Sequence, residues 1–142
     1  MSKYLAKIIA NDQEGLQMIS ACSSGAKVKV TDIKYLASNK VFLLSIERTK
    51  IETDQEGKKI NSICRFDFVD KVRSKNINQS KKDKFLDFLT IETNQMPDNN
   101  YEMKIVFAGD SIIKIISEVI EVTLDDQGDA WDTKNVPKHK VI

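Results

Sequence analysis

Four carboxylates, Asp125, Asp126, Asp129 and Asp132, gather around Gly128 late in a chain of 142 residues. Oxygen-rich clusters of this kind collect hard cations such as calcium. The spacing is not that of an EF-hand loop, which places its ligands at fixed positions and closes on a glutamate. A solvated turn with local side-chain caps accounts for the same residues, so no metal site is expected. Trp131, the only tryptophan, stands among these acids. Two roles are open to its indole: stapling a polar tail onto the body of the molecule, or lining a pocket for a ligand or partner.

Glu118 interrupts the apolar run SIIKIISEVIEVTL, and Arg48 follows the alternating Phe42, Leu44 and Ile46. A carboxylate buried in such a run needs a cation beside it or takes up a proton. Arg48 or Lys114 would supply that charge, and an ion pair between strands at the sheet surface is the simplest outcome. No base, nucleophile and orienting group assemble from the sequence, so no catalytic residue is assigned. The single histidine, His139, lies two residues after Pro137 and reads as a surface imidazole in a fraying tail. Cys22 and Cys64 lack the spacing of zinc ligands and read as reduced, buried thiols; a disulfide requires the fold to juxtapose them. Lys71, Arg73, Lys75, Lys81, Lys82 and Lys84 form the densest basic stretch, tempered by Asp70 and Asp83. With a net charge of only +1 and few interleaved aromatics, this reads as a solvated face rather than a nucleic-acid surface.

The elements that must position these residues are mostly strands. Tyr101 to Leu124 is the longest apolar stretch and reads as a hairpin at the centre of the fold. Met103, Ile105 and Phe107 alternate with more polar neighbours, and Ala108-Gly109-Asp110-Ser111 supplies turn chemistry. In the second arm Ile113 and Ile115 are out of phase with Ile120, Val122 and Leu124, which predicts a bulge near Ser117-Glu118. Upstream, a short strand ends at Ala10, and Asn11 with Glu14 resembles a capping box opening a helix that Gly25 closes. Strands are expected around Val28–Tyr35, with an irregularity at Thr31-Asp32, and around Phe42–Ile51. A fourth is expected to hold Cys64, Phe66 and Phe68 on one face and run through Val72, with Thr53 to Lys59 as a charged loop before it. Phe85–Thr93 is read as a fifth.

The expected class is therefore α+β and mostly antiparallel. About seven strands in a meander would curl into a barrel or a strongly bent sheet, with one N-terminal helix packed on it. The two halves echo one another weakly in topology. Residues 1–142 fit a single domain, with 125–142 a polar tail docked through Trp131. No apolar run has the length of a membrane span, and the N-terminus has no signal-peptide pattern, so the expected location is cytoplasmic.

Several segments together resemble an uncharacterised bacterial family, domain of unknown function 2948. The likeness is carried by KVKVTDIKYL at Lys27 to Leu36, IER at Ile46 to Arg48, FAG at Phe107 to Gly109, SEVIE at Ser117 to Glu121 and LDDQGDAWDT at Leu124 to Thr133, with Pro137 and His139. The resemblance implies no activity, cofactor or catalytic residue, because the family has none established.

These readings converge on a non-enzymatic binding or protein-interaction module that uses no cofactor. Its partner would be a protein or a small molecule, not nucleic acid and not a membrane; homodimerisation through an exposed strand is compatible with the pattern. The residues expected at the contact surface are Arg48, Glu118, Asp126, Gly128 and Trp131. The competing expectation is a small-molecule enzyme that uses carboxylates such as Glu118 and Asp126 in a β-barrel pocket.

Overall fold

The computed structural model describes residues 5–50 and 58–132, with side chains described as far as residue 128. Its strands are β1 (Lys7–Ala10), β2 (Lys27–Leu36), β3 (Val41–Thr49), β4 (Lys58–Phe66), β5 (Val69–Lys75), β6 (Phe85–Gln95), β7 (Tyr101–Phe107), β8 (Ser111–Ser117) and β9 (Val122–Asp132). One α-helix, α1 (Gln13–Ser23), follows β1, and a 3₁₀ turn at Ala37–Asn39 joins β2 to β3.

All pairings are antiparallel, in the order β1-β9-β4-β3-β2-β6-β7-β8-β5. The class is thus α+β, as the periodicities predict, but three details differ. Among the described residues nine strands form the sheet, not about seven. The ladder does not close into a barrel, because β1 and β5 remain its two edges. Nor is the order a meander: β9 inserts between β1 and β4, and β5 pairs with β8.

The apolar hairpin is buried, with Met103, Ile105, Phe107, Ile113 and Ile115 all in the core, but it is not at the centre of the sheet: β8 lies next to the edge strand β5. The phase slip after Ile115 has a different cause from the expected bulge. β8 stops at Ser117, four residues intervene, and β9 starts afresh at Val122 beside a different neighbour. The same happens on the partner chain segment. β4 ends at Phe66, only Asp67 and Phe68 intervene, and β5 begins at Val69. Phe68 therefore does not share a face with Cys64 and Phe66; it adopts a left-handed backbone (φ 58°) and is 49% exposed. The two crossings are tied together: Asp67 N–H donates to Glu121 O at 2.9 Å and Glu118 N–H to Phe68 O at 3.3 Å. The β4–β9 and β5–β8 pairs are consequently two lengths of one long ribbon, kinked where two residues face four.

The helix begins one residue later than the capping pattern suggests. The Asp12 side chain, not Asn11, accepts the Gly15 N–H at 2.7 Å. Gly15 weakens the helix intrinsically, but a Cβ there would meet Ala10 at 3.1 Å, so the missing side chain lets α1 approach β1. Leu16, Ile19 and Cys22 turn into the core.

Across β3, β4 and β9 the core is built in rows, because every second residue shares a face. Register places Phe42, Phe66 and Val122 in one row, Leu44, Cys64 and Leu124 in the next, and Ile46, Ser62 and Asp126 in the third. The first row holds an edge-to-face ring pair, Phe42 with Phe66, at 5.9 Å between centroids. The rows become polar toward one end of the sheet, and a buried charged cluster begins there.

Candidate functional site

Arg48 and Lys50 continue the parity of Phe42, Leu44 and Ile46, so both cations face inward and are fully buried. Asp126 likewise continues the parity of Val122 and Leu124. The Arg48 Nε donates to Asp126 Oδ1 at 3.1 Å, and an Arg48 terminal nitrogen donates to Asp126 Oδ2 at 3.0 Å. Ser62 on the intervening β4 accepts from Arg48 Nε at 3.1 Å and donates to Asp126 Oδ1 at 2.6 Å. The Ala6 N–H donates to Asp126 Oδ2 at 2.8 Å, while the Asp126 N–H returns a bond to Ala6 O at 2.9 Å. Both side chains of the ion pair have no solvent exposure. A planar guanidinium is the cation best shaped for such a two-point grip.

This arrangement fixes what Asp126 can do. Both carboxylate oxygens already accept two hydrogen bonds each from residues of β3, β4 and the segment before β1. A carboxylate so engaged holds strands together; it is not poised to take a proton from a substrate.

Glu118 stands elsewhere. It lies in the connection between β8 and β9, its side chain is 53% exposed, and it pairs with Lys40 at 3.3 Å rather than with Arg48 or Lys114. Lys40 also reaches Asp70 at 3.1 Å, and hydrogen bonding to Asp70, then to Glu118, raises its pKa. Lys114 pairs with Glu102 at 3.6 Å. Of the residues expected to act together, Arg48 and Asp126 therefore meet, and Glu118 does not join them.

Gly128 sits where β9 departs from β4: Asn61 is opposite Gln127 and Lys59 is opposite Trp131, leaving extra residues on β9. Its φ of 70° suits glycine at such a bulge. The segment from Asp125 to Asp132, read from sequence as a tail turn, is strand β9. The Trp131 side chain, its docking, and His139 lie outside the described residues, as do residues 53–57 of the expected charged loop, whose last two residues, Lys58 and Lys59, belong to β4. Among the described residues, no group of three or more potential ligands gathers around a metal position, and no helix is long and apolar enough to cross a membrane.

Cys22 and Cys64 are both buried and are not joined in a disulfide. Burial pushes the Cys64 pKa up to about 12, so this thiol stays protonated and unreactive.

A groove of about 510 Å³ opens on another part of the fold, between the outer half of β2 and the pair β5–β8. Its floor is apolar, formed by Val30, Ile33, Phe42, Val72, Ile77 and Ile113. Thr31, Ser74 and Gln79 supply neutral polar atoms, and Lys34 and Lys82 supply charge. The groove exists because β2 changes register between Val28 and Ile33 and pairs with β6 only through Lys27–Lys29. Beyond that point β2 faces β5 across a gap that is crossed by the Tyr35 hydroxyl donating to Val69 O at 3.3 Å.

The loop from Asn76 to Lys84 forms the lip and is held along its length. The Asn76 side chain donates to Asp110 O at 2.9 Å, and Ser111 Oγ donates to Asn76 O at 2.8 Å. Asn78 accepts the Ser80 N–H at 3.0 Å, and Gln79 donates to Ser74 Oγ at 3.2 Å. The N–H groups of Thr31 and Val30 donate to the carbonyls of Lys82 and Lys84 at 3.0 and 2.9 Å. Of the groove residues only Lys82 was noted from sequence as a candidate contact, within the basic stretch read as a solvated face. They come from four strands and a loop, and no local pattern unites them.

No curated protein and no solved structure gives a significant match to this chain. One family model does, over residues 6–139. Its span takes in β1 through β9, both members of the buried ion pair and every residue of the groove. The chain thus belongs to the family described as a protein of unknown function, DUF2948.

Proposed function

We propose that this protein is a cytoplasmic, non-enzymatic binding module that takes a small molecule in the groove between β2 and β5–β8. The observation that supports the reading is the groove itself. Its volume lies in the range of ordinary small-molecule sites, roughly 300–1,000 Å³, and its lining is about evenly apolar and polar. Its lip is held by the hydrogen bonds described above, so binding need not order a loop, which favours affinity. The expected contact surface at Arg48 and Asp126 is less apt, since both are buried and mutually satisfied. Carboxylate catalysis has little support: Asp126 is engaged on both oxygens and Glu118 is a surface residue paired with a lysine.

The test is a fragment screen by NMR on the ¹⁵N-labelled chain. Shift changes should concentrate on Val30–Tyr35, Val72–Lys82 and Ile113. Hits that cluster elsewhere, or none that perturb these residues, would overturn the reading.

A further inference from the structure

Resting on the groove reading, we propose that the ligand is an amphipathic anion. Its apolar body lies on Ile33, Val72 and Ile77, and its carboxylate or phosphate head meets Lys34 and Lys82.

Among the described residues, the lining holds two lysines and no aspartate or glutamate. With a net charge of only +1 for the whole chain, this bias is local. Some lysines on this fold are matched, as Lys27 is with Asp87, Lys40 with Asp70 and Glu118, and Lys114 with Glu102, while others, such as Lys71 and Lys75, have no such partner among the described residues. What sets Lys34 and Lys82 apart is that both line the groove. Neither Lys34 nor Lys82 forms an ion pair among the described residues. Two unmatched ammonium groups beside a low-dielectric apolar floor raise the local potential and attract an anion into the groove. The floor then discriminates against small inorganic anions, which bury no apolar surface.

The main chain at Lys82 is anchored, because its carbonyl accepts the Thr31 N–H at 3.0 Å. Lys34 projects from a strand paired with β3 opposite Leu43. Both cations are therefore mounted on fixed backbone, with only their flexible stems to order. Ser74 and Thr31 add hydroxyls that can share the head-group oxygens. A carboxylate and a phosphate share this chemistry, and the experiment separates them.

Octanoate, octyl phosphate and octanol are titrated into the ¹⁵N-labelled chain below their aggregation concentrations. Octanoate or octyl phosphate should shift the groove residues and bind at least about tenfold more tightly than octanol, and the tighter of the two identifies the head group. Lys34→Gln and Lys82→Gln should each weaken the anion by roughly fivefold, as partly exposed charge contacts do, and leave octanol unchanged. The double variant should erase the preference. Each variant is checked for an unaltered amide spectrum away from the groove. Equal binding of octanol and octanoate at the groove overturns the anionic head group while sparing the groove. Failure of all three to shift groove residues overturns the amphipathic ligand, and the fragment screen then decides separately whether the groove binds at all.

Discussion

Arg48 and Asp126 grip one another across an intervening strand, 78 residues apart in sequence. Arg48 belongs to β3 and Asp126 to β9; β4 lies between them, and its Ser62 hydroxyl sits in the span. Three strands are thereby locked at one end of the core by charge rather than by apolar packing. Such a pair need not exceed an apolar substitute in stability, because both ions lose their hydration. Breaking it from one side is another matter.

Asp126→Asn should therefore destabilise strongly, by about 3–5 kcal/mol, since it leaves the Arg48 charge buried beside a neutral amide. Urea denaturation measures this. The double variant Arg48→Met, Asp126→Leu should be more stable than Asp126→Asn alone. A double variant no better than the single one would show that the pair contributes nothing specific.

Ser62→Ala should cost about 1–2 kcal/mol, because it removes the hydroxyl that serves both ions. Combined with Asp126→Asn the loss should be less than additive, as the two residues share a network. Additivity within error would separate Ser62 from the cluster.

Cys64 predicts a loss of stability in alkali. Its folded pKa is about 12 against an ordinary 9.0. Below pH 9 both states hold the proton and the thiol contributes no pH dependence. Above it the unfolded chain releases the proton while the folded one keeps it, so stability falls as pH rises from about 9 toward 12. The slope should approach about 1.4 kcal/mol per pH unit, and Cys64→Ala should remove it. The native thiol should also resist iodoacetamide until the protein unfolds.

Glu118→Gln should leave the urea midpoint unchanged, because its ion pair is solvent-exposed. A large shift would mean that Glu118 does more than balance Lys40.

Gly128→Ala should cost about 1–2 kcal/mol through its left-handed backbone alone, since a Cβ there meets nothing within 4 Å. Thermal melts of the variant and of Gly128→Asn, which tolerates that conformation better, separate strain from packing.

How far this was legible in sequence differs by level. Alternation located the strands well: Phe42, Leu44 and Ile46, then Cys64 and Phe66, then Met103, Ile105 and Phe107 all face the core as read. Parity also carried a signal that went unused. Arg48 and Lys50 are in phase with Ile46, Ser62 with Cys64, and Asp126 with Leu124, so each was due to point inward. What sequence withheld was adjacency. Nothing local says that β9 enters between β1 and β4, or that the break after Ser117 takes four residues rather than one and leads to a different neighbour. That choice depends on partners some sixty residues away. The groove was illegible for the same reason, since its walls meet only after β2 and β5 have found their separate neighbours.

The pairing of β1 with β9 has a consequence for biogenesis. Lys7 lies opposite Asp125 in register, so β1 cannot pair until β9, far downstream in the chain, has been made. Until then its apolar residues, and the edge of β4 that β9 will cover, stay open to wrong partners. Long-range closure of this kind slows folding and exposes strand edges to aggregation. Nascent chains halted before Val122 should therefore remain dependent on chaperones, and release should come abruptly once β9 emerges.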